Sequence, residues 1–261
     1  MAKLKINMLL KNKTILVTGA GRGIGFAIVE VAVREGATVI AHVGREPGHR
    51  PGFAKFNTDQ VQQLAGDLSL DNGADKLWAD ALSLLSAMKQ SRIDVLINNA
   101  GVFAASPTEP RDQWDAGWVN NLTINLTSPA NLCRHAIAHY ESTGEGIIVN
   151  MTSRSAHRGD DAEHLAYGAA KAGLLALTKG IARSFAARGT LAYAVAPAWV
   201  RTEMAEEHIS TVGEETITAN LPMREITPAS DVAETVVFLA SGRARHANGC
   251  TIDITGADYV R

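Results

Sequence analysis

Apolar positions along the chain fall into two alternating rhythms. Short aliphatic and β-branched runs occupy residues 14–18, 38–43, 61–65, 94–98, 146–151, 191–196 and 251–255. Stretches such as Ile-Leu-Val and Ile-Ile-Val carry no polar alternation, the mark of parallel strands covered on both faces. Between them, apolar residues recur at helical spacing near 24–35, 72–89, 112–140, 165–187 and 229–241. In the first of these, Ile24, Ile28, Val31 and Ala32 share one stripe. Residues 46–57 contain two proline–glycine-type breaks and read as a loop. This alternation without a composition break predicts one α/β domain over residues 1–261, built on a doubly wound parallel sheet. Such sheets bind ligands beyond the carboxyl ends of their strands, where strand order reverses. The residues immediately after each strand therefore hold the candidate chemistry.

After the first strand comes Thr18-Gly19-Ala20-Gly21-Arg22-Gly23-Ile24-Gly25, leading into a helix. Glycines there let the backbone turn tightly and approach a pyrophosphate, which the free N–H groups of the helix N-terminus attract. A glycine-rich turn is a weak signal alone; its place between a strand and an amphipathic helix strengthens it. After the fourth strand stands Asn98-Asn99-Ala100-Gly101, and after the fifth Thr152-Ser153. Tyr167 and Lys171 are four apart in a helical segment, which puts them one turn apart on one face.

A chain of 261 residues buries roughly three quarters of its unfolded surface, so it needs no staple to fold. Its 25 Lys and Arg against 27 Asp and Glu give a net charge of −2, which supplies no basic field for nucleic acid. Cys133 and Cys250 form neither a metal-ligand spacing nor a disulfide framework and read as small buried hydrophobes. No 18-residue apolar run exists to span a bilayer, and the start lacks the apolar stretch of a secretory signal, so a cytoplasmic protein with no membrane partner is expected. His135 and His139 have the i, i+4 spacing of zinc ligands, but no H-E-x-x-H glutamate lies between them and no third ligand is evident; no metal is expected.

Together these motifs resemble the short-chain dehydrogenase/reductase family over nearly the whole chain. Residues 18–25 match its T-G-x-x-x-G-x-G turn, residues 98–101 its N-N-A-G motif, and Tyr167 to Lys171 its Y-x-x-x-K. Asn125 looks like the family's helix asparagine, Ser153 like its serine, and Asp67-Leu68 like the pair that brackets the adenine. Each motif alone is common, and each residue alone has a plainer reading: a packed tyrosine, a solvated lysine, a capping serine. Five in the right order are specific. The resemblance implies a Rossmann-type sheet of about seven strands and hydride exchange between a carbonyl or secondary alcohol and a nicotinamide dinucleotide. Tyr167 would be general acid in reduction and general base in oxidation, with Lys171 and the oxidised ring lowering its pKa. Ser153 would bond the substrate oxygen, and Asn125 would seat a water that relays the proton. Cofactor contacts implied are Thr18, Gly19, Arg22, Gly23, Ile24, Gly25, Asp67, Leu68, Asn98, Ala100, Gly101, Tyr167, Lys171, Pro197, Val200 and Thr202.

The second strand ends Ala41-His42-Val43-Gly44-Arg45-Glu46. Family alignment puts Val43 where an acid would bond a ribose diol, and Arg45 and Arg22 suit a 2′-phosphate, so NADP(H) is expected. A shift of one or two residues would put Glu46 at the diol and make NAD(H) the cofactor. Ala198 departs from the family's Pro-Gly after the sixth strand, and Trp199 either lines the pocket or packs plainly. Residues 203–224 sit where the family carries its substrate lid. The stretch between Ser153 and Tyr167, with Arg154, His157, Arg158, Asp160, Asp161, Glu163 and His164, points to a polar or charged substrate or is simply a solvated loop. The expected substrate is a small carbonyl or alcohol, a 3-oxoacyl thioester, ketone or sugar among them. By resemblance, the 112–140 helix and the Tyr167 helix pack against their copies in a homotetramer or homodimer. The rivals are an NAD-dependent polyol dehydrogenase, an epimerase or dehydratase on the same fold, and a silent cofactor sensor. Epimerase relatives usually carry a carboxyl-terminal domain that is absent here, and sensors tend to lose the Tyr or Lys.

Overall fold

A computed structural model describes residues 8–46 and 50–261. Seven strands form one parallel sheet: β1 (Thr14–Val17), β2 (Thr38–His42), β3 (Val61–Leu64), β4 (Val95–Asn98), β5 (Gly146–Met151), β6 (Thr190–Pro197) and β7 (Thr251–Ile254). Their spatial order is β3-β2-β1-β4-β5-β6-β7, and every pairing is parallel. All seven fall within a residue or two of the runs expected from the apolar pattern. The order reverses between β1 and β4, which opens the crevice where doubly wound sheets bind ligands.

The helices are α1 (Gly23–Arg34), α2 (Gly73–Ala87), α3 (Arg111–Leu122), α4 (Ser128–Thr143), the single turn α5 (Ser155–Arg158), α6 (Leu165–Phe185), α7 (Glu203–Val212), α8 (Glu214–Ala219) and α9 (Ala229–Ala240). Strand side chains alternate between the two faces. Ile15, Val17, Val39, Val95, Ile97, Val149 and Val195 pack on one side with residues of α1 and α9 such as Ile28 and Val236. Leu16, Ile40, Leu96, Ile148 and Ala192 pack on the other with residues of α2, α4 and α6 such as Leu77, Leu132 and Ile181. Each such aliphatic side chain, once covered, contributes about 1.5–3 kcal/mol.

Two segments differ from the sequence pattern. The single helix expected over 112–140 is two helices joined by a π turn, Thr123–Thr127. Pro129 explains the break: it sits in the first turn of α4, has no N–H to offer the Asn125 carbonyl four residues back, and crowds that carbonyl with its ring. Residues 46–57 are not wholly irregular. A 3₁₀ turn over Pro51–Lys55 carries Phe53, which with Phe56 forms an aromatic cluster on Phe26 of α1, the closest rings 5.1 Å apart. Residues 47–49 of that stretch lie outside the described residues. The polar 203–224 stretch folds as α7 and α8, which share a small apolar cluster of Ile209, Ile217, Leu221 and Ile226. Among the described residues no helix is long and apolar enough to cross a membrane.

Candidate active site

One cleft of about 1200 Å³ lies along the carboxyl ends of the strands. It is large enough for an elongated ligand and a second small molecule. Its floor is the turn between β1 and α1. Gly19 and Gly23 there have φ values of +64° and +52°, which side chains adopt at a cost. A Cβ on Gly19 would lie 2.8 Å from the Ala100 Cα, and one on Gly25 would lie 2.1 Å from the Gly19 carbonyl oxygen. Glycine is therefore required where the turn, the helix start and the end of β4 converge. Thr18 is buried beneath: its hydroxyl accepts the N–H groups of Asn99 and Ala100, each at 3.0 Å, and so ties β1 to β4. Asn99 returns the link, its side-chain amide donating to the Thr18 and Gly19 carbonyls.

His42 braces the turn from the other side. Its Nδ1 accepts the Gly19 N–H at 3.2 Å, which leaves Nε2 as the protonated nitrogen donating to the Gly66 carbonyl at 3.0 Å. Burial lowers its pKa below the usual 6.5, so the ring is neutral. One imidazole thus holds the β1–α1 turn to the turn after β3.

Three arginines surround this end of the cleft. Arg22 is exposed and reaches Glu203 of α7 at 3.2 Å. Arg45 pairs with Asp67 at 3.1 Å and donates to the Ser69 hydroxyl at 3.1 Å. The Asp67 carboxyl is held below its usual range, chiefly by hydrogen bonds from Ser69 and further by Arg45. Arg50 donates to the Val43 carbonyl at 3.0 Å, and its buried Nε has no partner among the described residues. Its guanidinium lies 3.5 Å from where a Gly21 Cβ would stand, so it faces the glycine turn. The motif reading overlooked Arg50. Glu46 is exposed and does not line the cleft.

The other end is built on α6. Tyr167 and Lys171 both line the cleft, with Ser153 beside them at the end of β5. Lys171 is buried and donates from Nζ to the Met151 carbonyl at 2.9 Å. Burial alone brings its pKa down to about 8. Burial pushes the Tyr167 phenol up to about 12, with hydrogen bonding to Ser153 and the nearby Arg154 opposing the rise and Asp160 adding to it. The expected downward pull of Lys171 is not among the causes of this shift; desolvation dominates, and the phenol is neutral near pH 7. The Tyr167 ring meets Phe103 edge to face at 4.9 Å, and Phe103 stacks on His164 at 3.7 Å.

Asn125 sits within the π turn, fully buried. It accepts the Val102 N–H at 3.1 Å and donates to the Val102 carbonyl at 2.9 Å, locking the chain just after Gly101. Asn98 does not face the cleft. It is the last residue of β4 and bonds to Asn150 at 2.8 Å and to Cys133, behind the cleft wall. Asn99, Ala100 and Gly101 form the wall itself, with Ile24, Leu68, Pro197, Val200 and Thr202 also lining the cleft. Trp199 both lines the cleft and packs on the α7–α8 cluster, with the Arg154 guanidinium 5.6 Å from its ring centroid. Arg154 is paired with Asp258 near the carboxyl terminus, and Arg158 lines the mouth. His157 turns away to stack on Tyr259. His135 and His139 have separate partners, Asp75 and the Ile93 N–H.

Comparison with known proteins agrees with this geometry. The family model described as enoyl-(acyl carrier protein) reductase matches residues 19–256. The chain is 31% identical to D-threitol dehydrogenase of Mycolicibacterium smegmatis, covering 97% of this chain and 95% of the relative. It is also 31% identical to a 3-oxoacyl-(acyl-carrier-protein) reductase of Vibrio harveyi, covering 97% and 100%. Among solved structures, one from Beutenbergia cavernae, whose description proposes an NAD(P)-dependent gluconate 5-dehydrogenase and records NADP at low occupancy, superposes with a TM-score of 0.84 at 31% identity, covering 96% of this chain and 98% of its own. The chain belongs to the short-chain dehydrogenase/reductase family, whose members exchange carbonyl and alcohol.

Proposed function

We propose that this protein interconverts a small carbonyl compound and its secondary alcohol with NADP(H), using Tyr167 as proton donor and acceptor. The observation that carries the reading is the half-buried Tyr167 and the buried Lys171 one turn apart beside Ser153, at the end of a cleft whose other end is a glycine cradle. A bound nicotinamide dinucleotide would supply or take the hydride. Around it, Gly19, Gly23, Ile24 and Gly25 would seat the pyrophosphate at the start of α1, while Asp67 and Leu68 would flank the adenine. Pro197, Val200 and Thr202 line the cleft, where they would hold the carboxamide, and Ala100 and Gly101, which line it too, would hold the ring.

Tyr167 holds its proton at neutral pH and gives it to the substrate oxygen on reduction; Ser153 bonds the same oxygen and orients it. Lys171, charged near pH 7, supplies the positive field that supports the phenolate left behind. Asn125 fixes the backbone at Val102, and the Nζ of Lys171 lies close by, which suits a proton exit along that side.

Arg22, Arg45 and Arg50 favour a 2′-phosphate, and no carboxylate from the end of β2 faces the cleft among the described residues. Arg158 at the mouth favours a polar substrate, with α7 and α8 as the lid. Assembly through α4 and α6 into a homodimer or homotetramer belongs to the same reading, and light scattering tests it. The direct experiment follows NADPH and NADH absorbance with ketones, aldehydes, hydroxy acids, polyols and 3-oxoacyl thioesters, with Tyr167→Phe alongside. NADPH-linked turnover lost in the variant is expected. Turnover with NADH alone would overturn the cofactor assignment, and turnover that survives in Tyr167→Phe would overturn the mechanism.

A further inference from the structure

Beyond Tyr167, a line of hydroxyls leaves the site. The Ser153 hydroxyl donates to Ser155 Oγ at 3.1 Å, and the Ser155 hydroxyl donates to Oδ2 of Asp160. The Ser155 N–H also donates to Ser153 Oγ at 3.1 Å, fixing their relative placement. The other carboxylate oxygen of Asp160 accepts the Asp161 N–H at 3.1 Å. Ser155 is buried on α5, and Asp160 lines the cleft. Tyr167 is itself hydrogen-bonded to Ser153, so the chain Tyr167–Ser153–Ser155–Asp160 joins the phenol to a carboxylate through two hydroxyls.

Each hydroxyl has one proton to donate, so such a chain points toward only one of two anions at its ends. With Asp160 ionised, both serines donate toward Asp160. A phenolate at the other end then finds Ser153 already committed elsewhere. We propose that Asp160 is a positioning residue which, through Ser155, controls the direction of the Ser153 hydroxyl and so the proton affinity of Tyr167. This rests on Tyr167 being the proton donor and acceptor.

Other charged or titratable groups also face the phenol. Lys171 lies one turn along α6, its Nζ 5.7 Å from the ring centroid, and Arg154 follows Ser153 but is paired with Asp258. His164 lies behind Phe103 and is bonded to Asp161. Arg154 and Asp160 act on Tyr167 by charge, in opposite directions, and Asp160 alone is also joined to Ser153 through Ser155. Burial is the main cause of the phenol's raised proton affinity, and the charge of Asp160 adds to it.

The two routes are separable. Asp160→Asn removes the charge and lets Ser155 donate back toward Ser153. Ser155→Ala keeps the charge but cuts the chain, freeing Ser153 to support the phenolate. Both variants are expected to move the acidic limb of kcat/KM for alcohol oxidation to lower pH, by roughly half a unit to one unit. The double variant should move it no further than Asp160→Asn alone, since the two changes act on one chain. Tyrosinate absorbance, taken as the difference from the matching Tyr167→Phe protein, gives the same comparison without turnover. Loss of wild-type turnover would count against the enzymatic reading only, because this titration still reports on Asp160. A Ser155→Ala profile or titration that superposes on wild type would overturn the proposal, whatever Asp160→Asn does.

Discussion

Asn125 and Lys171 close on the same point, one from the π turn and one from α6. A Cβ built on Gly101 would stand 2.9 Å from Oδ1 of Asn125 and 3.4 Å from Nζ of Lys171. Glycine at 101 thus makes the room that the asparagine and lysine occupy. Gly101→Ala should displace the Asn125 amide from the Val102 backbone and push the lysine toward Tyr167. A fall of roughly tenfold or more in kcat is expected from misplacing catalytic groups by a fraction of an ångström, with little change in cofactor KM. Steady-state kinetics beside a thermal melt check this. Unchanged kcat in a folded variant would mean that the contact is slack.

Lys171 is held in the cleft at a cost to the fold. With its pKa brought from 10.5 to about 8 by burial, the charged ammonium destabilises the folded state at neutral pH by roughly 3 kcal/mol. The sign follows from proton uptake. Between about pH 8 and 10.5 the unfolded chain binds this proton more tightly, so folded stability rises with pH across that window. Below pH 8 the penalty is present in full. Lys171→Met removes it while losing turnover. The expected result is a higher denaturation midpoint at pH 7 for the variant, with the wild type gaining on it as pH rises above about 8. Equal midpoints at pH 7 would show that the Met151 carbonyl contact offsets the burial.

His42 predicts a dependence at the acid end. Its folded pKa lies below 6.5, so stability from the neutral ring is present above about pH 6.5 and is lost as pH falls toward the folded value. A proton on Nδ1 would oppose the Gly19 N–H and release the brace under the glycine turn. Cofactor affinity should fall with stability below pH 6.5, and His42→Gln should flatten both responses. Fluorescence titration of NADPH across pH, beside melts, reads the two together. A wild-type affinity that stays flat down to pH 5 would remove the brace from the account.

Much of this architecture is legible from local pattern, and the exceptions have particular causes. Ile15, Leu16 and Val17 announce a strand covered on both sides because each is apolar whichever way it points. Tyr167 and Lys171 can be placed on one wall because helical spacing is fixed. Asn98 and Asn99 show the limit: read as a motif they belong together, yet strand alternation sends them apart. Asn98 shares the parity of Leu96 and faces α4, so the two-residue period carried that signal. The π turn at Asn125 was also encoded, in Pro129. The place of Arg50 was not. It depends on Phe53 and Phe56 packing on Phe26, a contact between residues some 30 apart along the chain that no spacing rule anticipates.

Arg50 accordingly gives the sharpest test of cofactor choice. Its Nε is buried against the glycine turn with no partner among the described residues, and an unmet buried donor costs about 1–3 kcal/mol unless a ligand accepts from it. A phosphate oxygen is an acceptor of the right charge, and a guanidinium offers it paired donors. Arg45 is already held by Asp67 and Ser69, so it would have to leave one ion pair to make another, whereas the Nε of Arg50 breaks none. The two arginines should therefore contribute unequally. Arg50→Ala is expected to raise the NADPH KM by roughly ten- to a hundredfold, the loss of a charge-assisted hydrogen bond, while changing the NADH KM little. Arg45→Ala should produce the smaller change. Equal losses with both cofactors would place Arg50 against the pyrophosphate that they share, and the 2′-phosphate would then fall to Arg22 or Arg45.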